Sequence, residues 1–158
     1  MSVRGQVLDA SADSFEAFFE EAEPRLRHAL VAAYGVEVGV EAAADALAYA
    51  WEHWDRVGSM ESPIGYLYRV GRSRSRRHRR RPPILPEVRP NPLPWMEPAL
   101  PEALARLSGR QRTSVVLIHS LGWTYAEAAE VMGVSVGTVE THVRRGMQRL
   151  RRSLGGMA

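Results

Sequence analysis

Residues 82–98 read PPILPEVRPNPLPWMEP, and seven of these 17 positions are proline. Proline has no amide donor and fixes its own backbone angle, so neither a helix nor an internal strand can run through this segment. It reads as a stiff, extended linker. The chain of 158 residues therefore divides into 1–81 and 99–158, each short enough to need only one small core. Both parts carry apolar residues at helical intervals, and neither shows strand alternation over more than a few residues. The expected fold is all-α: two small helical domains joined by the proline-rich linker.

In the first part, Asp13 or Ser14 can cap a helix whose one face carries Phe15, Phe18, Phe19, Ala22, Leu26, Ala29, Leu30 and Ala33. Pro24 should kink or restart it, and Gly35 is a natural stop. A second helix is expected over about Val40 to Val57, with Ala43, Ala44, Leu47, Trp51 and Trp54 on one stripe. Ser62 can cap a third, with Pro63 at its first position and Ile64, Leu67 and Val70 inward. The apolar pattern then ends. The sequence GRSRSRRHRRR from Gly71 has nothing to bury, so it is either frayed and solvated or held against phosphate.

The second part is more sharply punctuated. Leu100, Leu104 and Leu107 mark a short helix ending at Ser108-Gly109, and Arg110 to Leu121 forms the next. Thr124-Tyr125-Ala126-Glu127 is a capping box. The helix it opens carries Ala128, Ala129 and Met132 and stops at Gly133. Ser135 caps a final helix whose inward stripe is Val139, Val143, Met147 and Leu150.

Charge is distributed unevenly. From Asp9 to Glu61 there are 12 acidic residues and 3 arginines; from Ser62 to Arg81 there are 8 arginines and no acid. Arginine-rich zones favour a polyanion such as nucleic acid, whereas the acidic front is either a docking surface or a solvated helix face. There is no cysteine, which excludes disulfides and thiolate metal sites. The five histidines form no close ligand pair. No phosphate-binding glycine loop and no paired catalytic carboxylates can be identified. No enzyme activity, metal or cofactor is therefore implied. No apolar run approaches the roughly 20 residues of a membrane span, so the expected setting is the cytoplasm, without a membrane partner.

A helix of about eight residues, the turn Gly133-Val134-Ser135 and a longer helix form a helix-turn-helix pattern, whose second helix enters the major groove of DNA. The outward residues of its first turns are Gly137, Thr138, Glu140, Thr141, Arg144 and Arg145. The glycine lets backbone approach phosphate. The threonines can bond phosphate or base, and the arginines can pair with guanine or phosphate. His142 can meet phosphate, and Arg149, Arg151 and Arg152 lie further along, toward the DNA backbone. The bland alternative is a helical hairpin with a solvated basic face. Trp51 and Trp54 read first as core residues, while Tyr66 or Tyr68, beside the arginine tail, can also stack on unpaired bases.

Residues 100–152, LPEALARLSGRQRTSVVLIHSLGWTYAEAAEVMGVSVGTVETHVRRGMQRLRR, resemble region 4 of the sigma-70 family in its small extracytoplasmic-function branch. The matching pieces are Leu107 to Arg112, Tyr125-Ala126-Glu127, Gly133, Val136 to Val139 and Arg149-Leu150-Arg151. The first part is similar to sigma region 2 through Phe15 to Phe18, Glu23 to Leu26, Ala50-Trp51, Trp54 to Val57, and Pro63 with Tyr66 to Val70. The resemblance implies a sigma factor with core RNA polymerase (its β′ and β subunits) and promoter DNA as partners. It also admits an anti-sigma factor. Domain 99–158 would bind the −35 element through Gly137, Thr138, Glu140, Thr141, His142, Arg144, Arg145 and Arg149. Domain 1–81 would bind the −10 element through Tyr66, Arg69, Arg72, Ser73, Arg76 and Arg77, and polymerase through Glu41, Asp45 and Trp51. Glu140 stands where the family usually has lysine or arginine. It would either read cytosine N4 or weaken the contact. Two rivals remain open: a LuxR-type regulator acting as a dimer without polymerase, and a sigma-like adaptor that holds polymerase but melts no promoter.

Overall fold

The computed structural model describes residues 3–79 and 99–156, with side chains described from residue 12 to 78 and from 99 onward. The proline-rich segment lies outside the described residues. Every regular element among them is helical. The first half contains α1 (Val3–Tyr34), α2 (Val36–Glu52), the single turn α3 (Trp54–Val57) and α4 (Pro63–Arg79). The second contains α5 (Leu100–Ala105), α6 (Gly109–Val115), α7 (Tyr125–Met132) and α8 (Val136–Gly155). A π-helical turn, Val116–Ser120, extends α6.

Several local expectations are corrected. Helix α1 starts at Val3 and runs through Pro24 without a break. Around Pro24, Ala22, Leu26, Ala29 and Leu30 are buried, and packing on this face offsets the lost backbone bond. Gly35, at φ 88°, separates α1 from α2, so α2 begins at Val36 rather than Val40. The Ser62 hydroxyl has no hydrogen-bond partner, so it does not cap α4. The arginine-rich tail stays helical to Arg79 because Gly71 and Ser75 turn inward. Ser75 Oγ donates to the Arg72 carbonyl at 2.7 Å. Trp51 is not a core residue: it is 55% exposed.

One hydrophobic core extends across both halves. Leu26, Leu30, Ala46 and Leu67 of the first half belong to the same buried cluster as Leu117, Val131, Met132 and Val139 of the second. Each leucine, valine or methionine of this cluster contributes about 1.5–3 kcal/mol when buried. A smaller cluster of Ala103, Leu107, Val115 and Leu150 seats α5 against α8. Polar contacts join the halves as well. Arg112 Nε donates to the Ala32 carbonyl at 2.9 Å, and its Nη2 donates to that of Ala33. Both acceptors are in the last turn of α1, where carbonyls lack helical partners. Nη1 faces the carbonyls of Leu104, Ala105 and Leu107 at 3.4–3.5 Å, so one guanidinium serves the ends of α1 and α5. Charged hydrogen bonds of this kind are worth about 1.5–3 kcal/mol. The Arg25–Glu130 pair, at 3.6 Å and with Glu130 half in water, falls in the class worth at most about 1 kcal/mol.

The halves also pack backbone to backbone at Gly65, where a Cβ would lie 2.7 Å from the Glu130 carbonyl oxygen. That oxygen is backbone and cannot rotate aside. Gly65→Ala should therefore loosen the two halves and raise the radius of gyration measured by small-angle scattering. Gly137→Ala, where nothing lies within 4 Å, should leave it unchanged.

Candidate nucleic-acid interface

The unit α7–turn–α8 is fixed at both ends of its turn. The Thr124 amide donates to Glu127 Oε2 at 2.7 Å, and the Glu127 amide donates to Thr124 Oγ1 at 3.1 Å. The Thr124 amide first, and then the Thr124 hydroxyl, hold the Glu127 carboxyl below its ordinary range. Gly133 ends α7 at φ 65°, a left-handed conformation suited to glycine. The Val134 amide then donates back to the Ala129 carbonyl at 3.1 Å. Ser135 Oγ accepts from the Thr138 amide at 3.1 Å and starts α8.

Helix α8 divides cleanly. Val139, Val143 and Leu150 are buried, as is Gly146, and Met147 is half-buried. On the other face Gly137, Glu140, Arg144, Arg145 and Arg149 are exposed, with Thr138, Thr141 and His142 half-buried beside them. Not all these side chains are equally free. Thr138 Oγ1 shares a 2.8 Å bond with Ser135 Oγ. Thr141 Oγ1 donates to the Gly137 carbonyl at 3.0 Å, so its oxygen is left as an acceptor. Arg149 Nη1 donates to Gln111 Oε1 at 3.2 Å, which ties α8 to the start of α6. The same glutamine completes a second capping box with Ser108, so Ser108-Gly109 opens α6 as well as ending the helix before it. The S-x-x-Q spacing was the available signal.

His142 Nε2 is buried without a hydrogen-bond partner. Burial lowers its pKa, and the positive charges of Arg110 and Arg145 lower it further.

The α4 residues form a second basic face. Arg69, Ser73, Arg76 and Arg77 are exposed, and Arg72 is half-buried. Tyr66 is half-buried, its hydroxyl 3.2 Å from that of Tyr49. Arg56 donates to both hydroxyls, and Arg69 sits over the Tyr66 ring at 6.0 Å. Tyr68 points inward, and its burial pushes the hydroxyl pKa to about 12, so it is not placed to stack on a base. Of the residues named for polymerase, Glu41 is exposed. Asp45 is engaged by His78 Nε2 at 2.7 Å and clips α4 to α2. Trp51 borders an apolar groove of about 390 Å³ between α1 and α2, with Phe15, Phe19, Val40 and Leu47. Its ring centroid is 5.0 Å from that of Phe15. Among the described residues no cluster could hold a metal ion, and no helix is long and apolar enough to cross a membrane.

Residues 98–150 match the family described as Sigma-70, region 4. A segment of 57 residues is 40% identical to the ECF RNA polymerase sigma factor SigM of Mycobacterium tuberculosis, in both the Erdman and H37Rv strains. That match covers 36% of this chain and 29% of the length of SigM. Over the whole fold, the chain is similar to the sigma factor RpoE in its co-crystal structure with the anti-sigma factor NepR from Bartonella quintana. The TM-score is 0.56 at 24% identity, covering 89% of this chain and 96% of that one. The helix-turn-helix of α7 and α8 lies within the segment that matches Sigma-70, region 4, and the aligned segment spans less than a third of the length of SigM.

The depressed pKa of His142 has a defined sign. Its folded-state contribution is fully present above about pH 6.5, the unperturbed histidine value, and is lost as pH falls below it. The thermal midpoint should therefore drop between about pH 7.5 and 5.5, and His142→Gln should drop less over the same interval. Parallel curves for the two proteins would remove His142 as the cause.

Proposed function

We propose that this protein is a sigma factor: it joins core RNA polymerase and directs initiation at promoters carrying its −10 and −35 elements. The observation that carries this reading is α8, seated by a buried stripe and the Ser135 cap while its opposite face presents Arg144, Arg145 and Glu140 to solvent within the region 4 match. The outward face of α8 meets the −35 duplex in the major groove. Arg144 and Arg145 supply donors to guanine or phosphate. Glu140 and the acceptor-only Thr141 suit base edges that donate, such as cytosine N4 or adenine N6. The α4 face of Tyr66, Arg69, Arg72, Ser73, Arg76 and Arg77 meets the −10 element. The α1–α2 groove, with Phe19 and Trp51 exposed, and the exposed Glu41 of α2 meet polymerase β′; the β subunit belongs to the same assembly. Domain 1–81 thus serves polymerase and the −10 element, 99–158 serves the −35 element, and 82–98 sets their span. Each contact is modest, and joining them on one chain raises affinity through effective concentration. An anti-sigma factor, such as the one bound to RpoE, is a further partner class. The chemistry of RNA synthesis belongs to polymerase, and the setting is cytoplasmic.

Run-off transcription with purified core polymerase on genomic fragments tests this directly, and specific starts should appear only when the protein is added. Arg145→Ala should weaken binding to the selected −35 duplex by about 1–3 kcal/mol, and the salt slope should flatten if the lost contact is to phosphate. Polymerase binding without initiation would instead define an adaptor. A polymerase-independent dimer on a palindrome would define a LuxR-type regulator.

A further inference from the structure

A cleft of about 680 Å³ opens where the end of α1, the tail of α4 and the start of α6 converge. Arg69, Arg72 and Arg76 line it from α4, and Arg110 and Arg112 from α6. The three α4 arginines recur at intervals of three and four, which places them on one face of the helix. Arg112 directs its donors to helix-end carbonyls. The other four have no ion-pair partner among the described residues. No carboxylate is among the described residues lining the cleft. Tyr68 also lines it, and the charges of Arg72 and Arg110 both act on its hydroxyl, which bonds Thr113.

Four guanidiniums around one concavity focus a positive potential on the space between them. Guanidinium geometry matches phosphate oxygens in pairs. The volume is that of a small-molecule site, and such sites favour junctions between packed units. We propose that this cleft binds a compact oligophosphate, a small molecule bearing linked phosphates, which bridges α4 of one half to α6 of the other. A ligand held from both sides stabilises the packed arrangement of the halves by mass action. Because Arg69, Arg72 and Arg76 also belong to the proposed −10 face, the bound ligand excludes DNA from it. That competition rests on the sigma-factor reading, whereas the binding itself does not.

The test is calorimetric titration of the full chain with inorganic tripolyphosphate near 0.15 M salt, where long-range attraction is screened. One equivalent should bind saturably and raise the thermal midpoint. Arg72→Gln and Arg110→Gln should each weaken binding by about tenfold or more, and Arg151→Gln, outside the cleft, by less than about twofold. Circular dichroism of each variant confirms that it is folded. Absence of saturation would overturn the proposal. So would an Arg151→Gln loss equal to that of Arg110→Gln, the mark of unspecific attraction. A single-stranded oligonucleotide that binds through Arg72 and Arg110 while tripolyphosphate does not would also overturn it, making the cleft a nucleic-acid site. Because no polymerase is present, failure here leaves the transcription assay independent.

Discussion

The Arg112 guanidinium sits where the ends of α1 and α5 meet the body of α6. Helix ends leave carbonyls without partners, and burying them unpaired is costly. One planar group with five donors serves several of them at once. It does so across a separation of about 80 residues in sequence, so it orders the two halves relative to each other as well as closing helix ends. Around it the shared core of Leu26, Leu67, Leu117 and Val131 excludes water, which strengthens the charged hydrogen bonds at its edge. The basic cleft and the exposed face of α8 both inherit their placement from this junction.

Electrostatics then assigns the surfaces. The α4 tail holds its arginines on a continuous helix because Gly71 and Ser75 face inward and because Asp45 holds His78. Without that clip, a run of like charges would extend and fray. The acidic stretch of α1 and α2 is partly consumed internally: Glu23 pairs with Arg27 at 2.8 Å, and Glu21 lies 4.0 Å from Arg25. Glu41 of α2 stays exposed, while the groove of Phe15, Phe19 and Trp51 is bordered by the paired Glu23 and Arg27.

Local punctuation was the most legible part of the sequence. The Thr124 box, the Gly133 stop and the Ser135 cap are short-range devices whose partners lie within a few residues, and all stand as expected. The alternation of buried and exposed positions along α8 was legible for the same reason. Failures came where tertiary packing decided the outcome. Pro24 remains inside a helix whose flanking residues are buried, and Trp51 stands at a groove although its spacing matches a core stripe. The tail beyond Gly71 shows no apolar period, yet two small residues bury one side of it. Arg112 and the Asp45–His78 pair were beyond reach, because their partners are distant in sequence and backbone carbonyls carry no sequence signature. The acceptor-only state of Thr141 needed the distance to the Gly137 carbonyl.

The division of labour along α8 bears on how such a protein diversifies. Its seat depends on Val139, Val143, Gly146 and Leu150 and on the Ser135 cap, none of which points outward. Exposed positions such as 140, 144 and 145 contribute little to stability, since surface substitutions away from special features usually stay within about ±0.5 kcal/mol. A duplicated copy of this chain can therefore drift at those positions toward a new target without passing through an unfolded intermediate sequence. The helix is a fixed mount with an exchangeable outer edge, and the fold places little constraint on that edge.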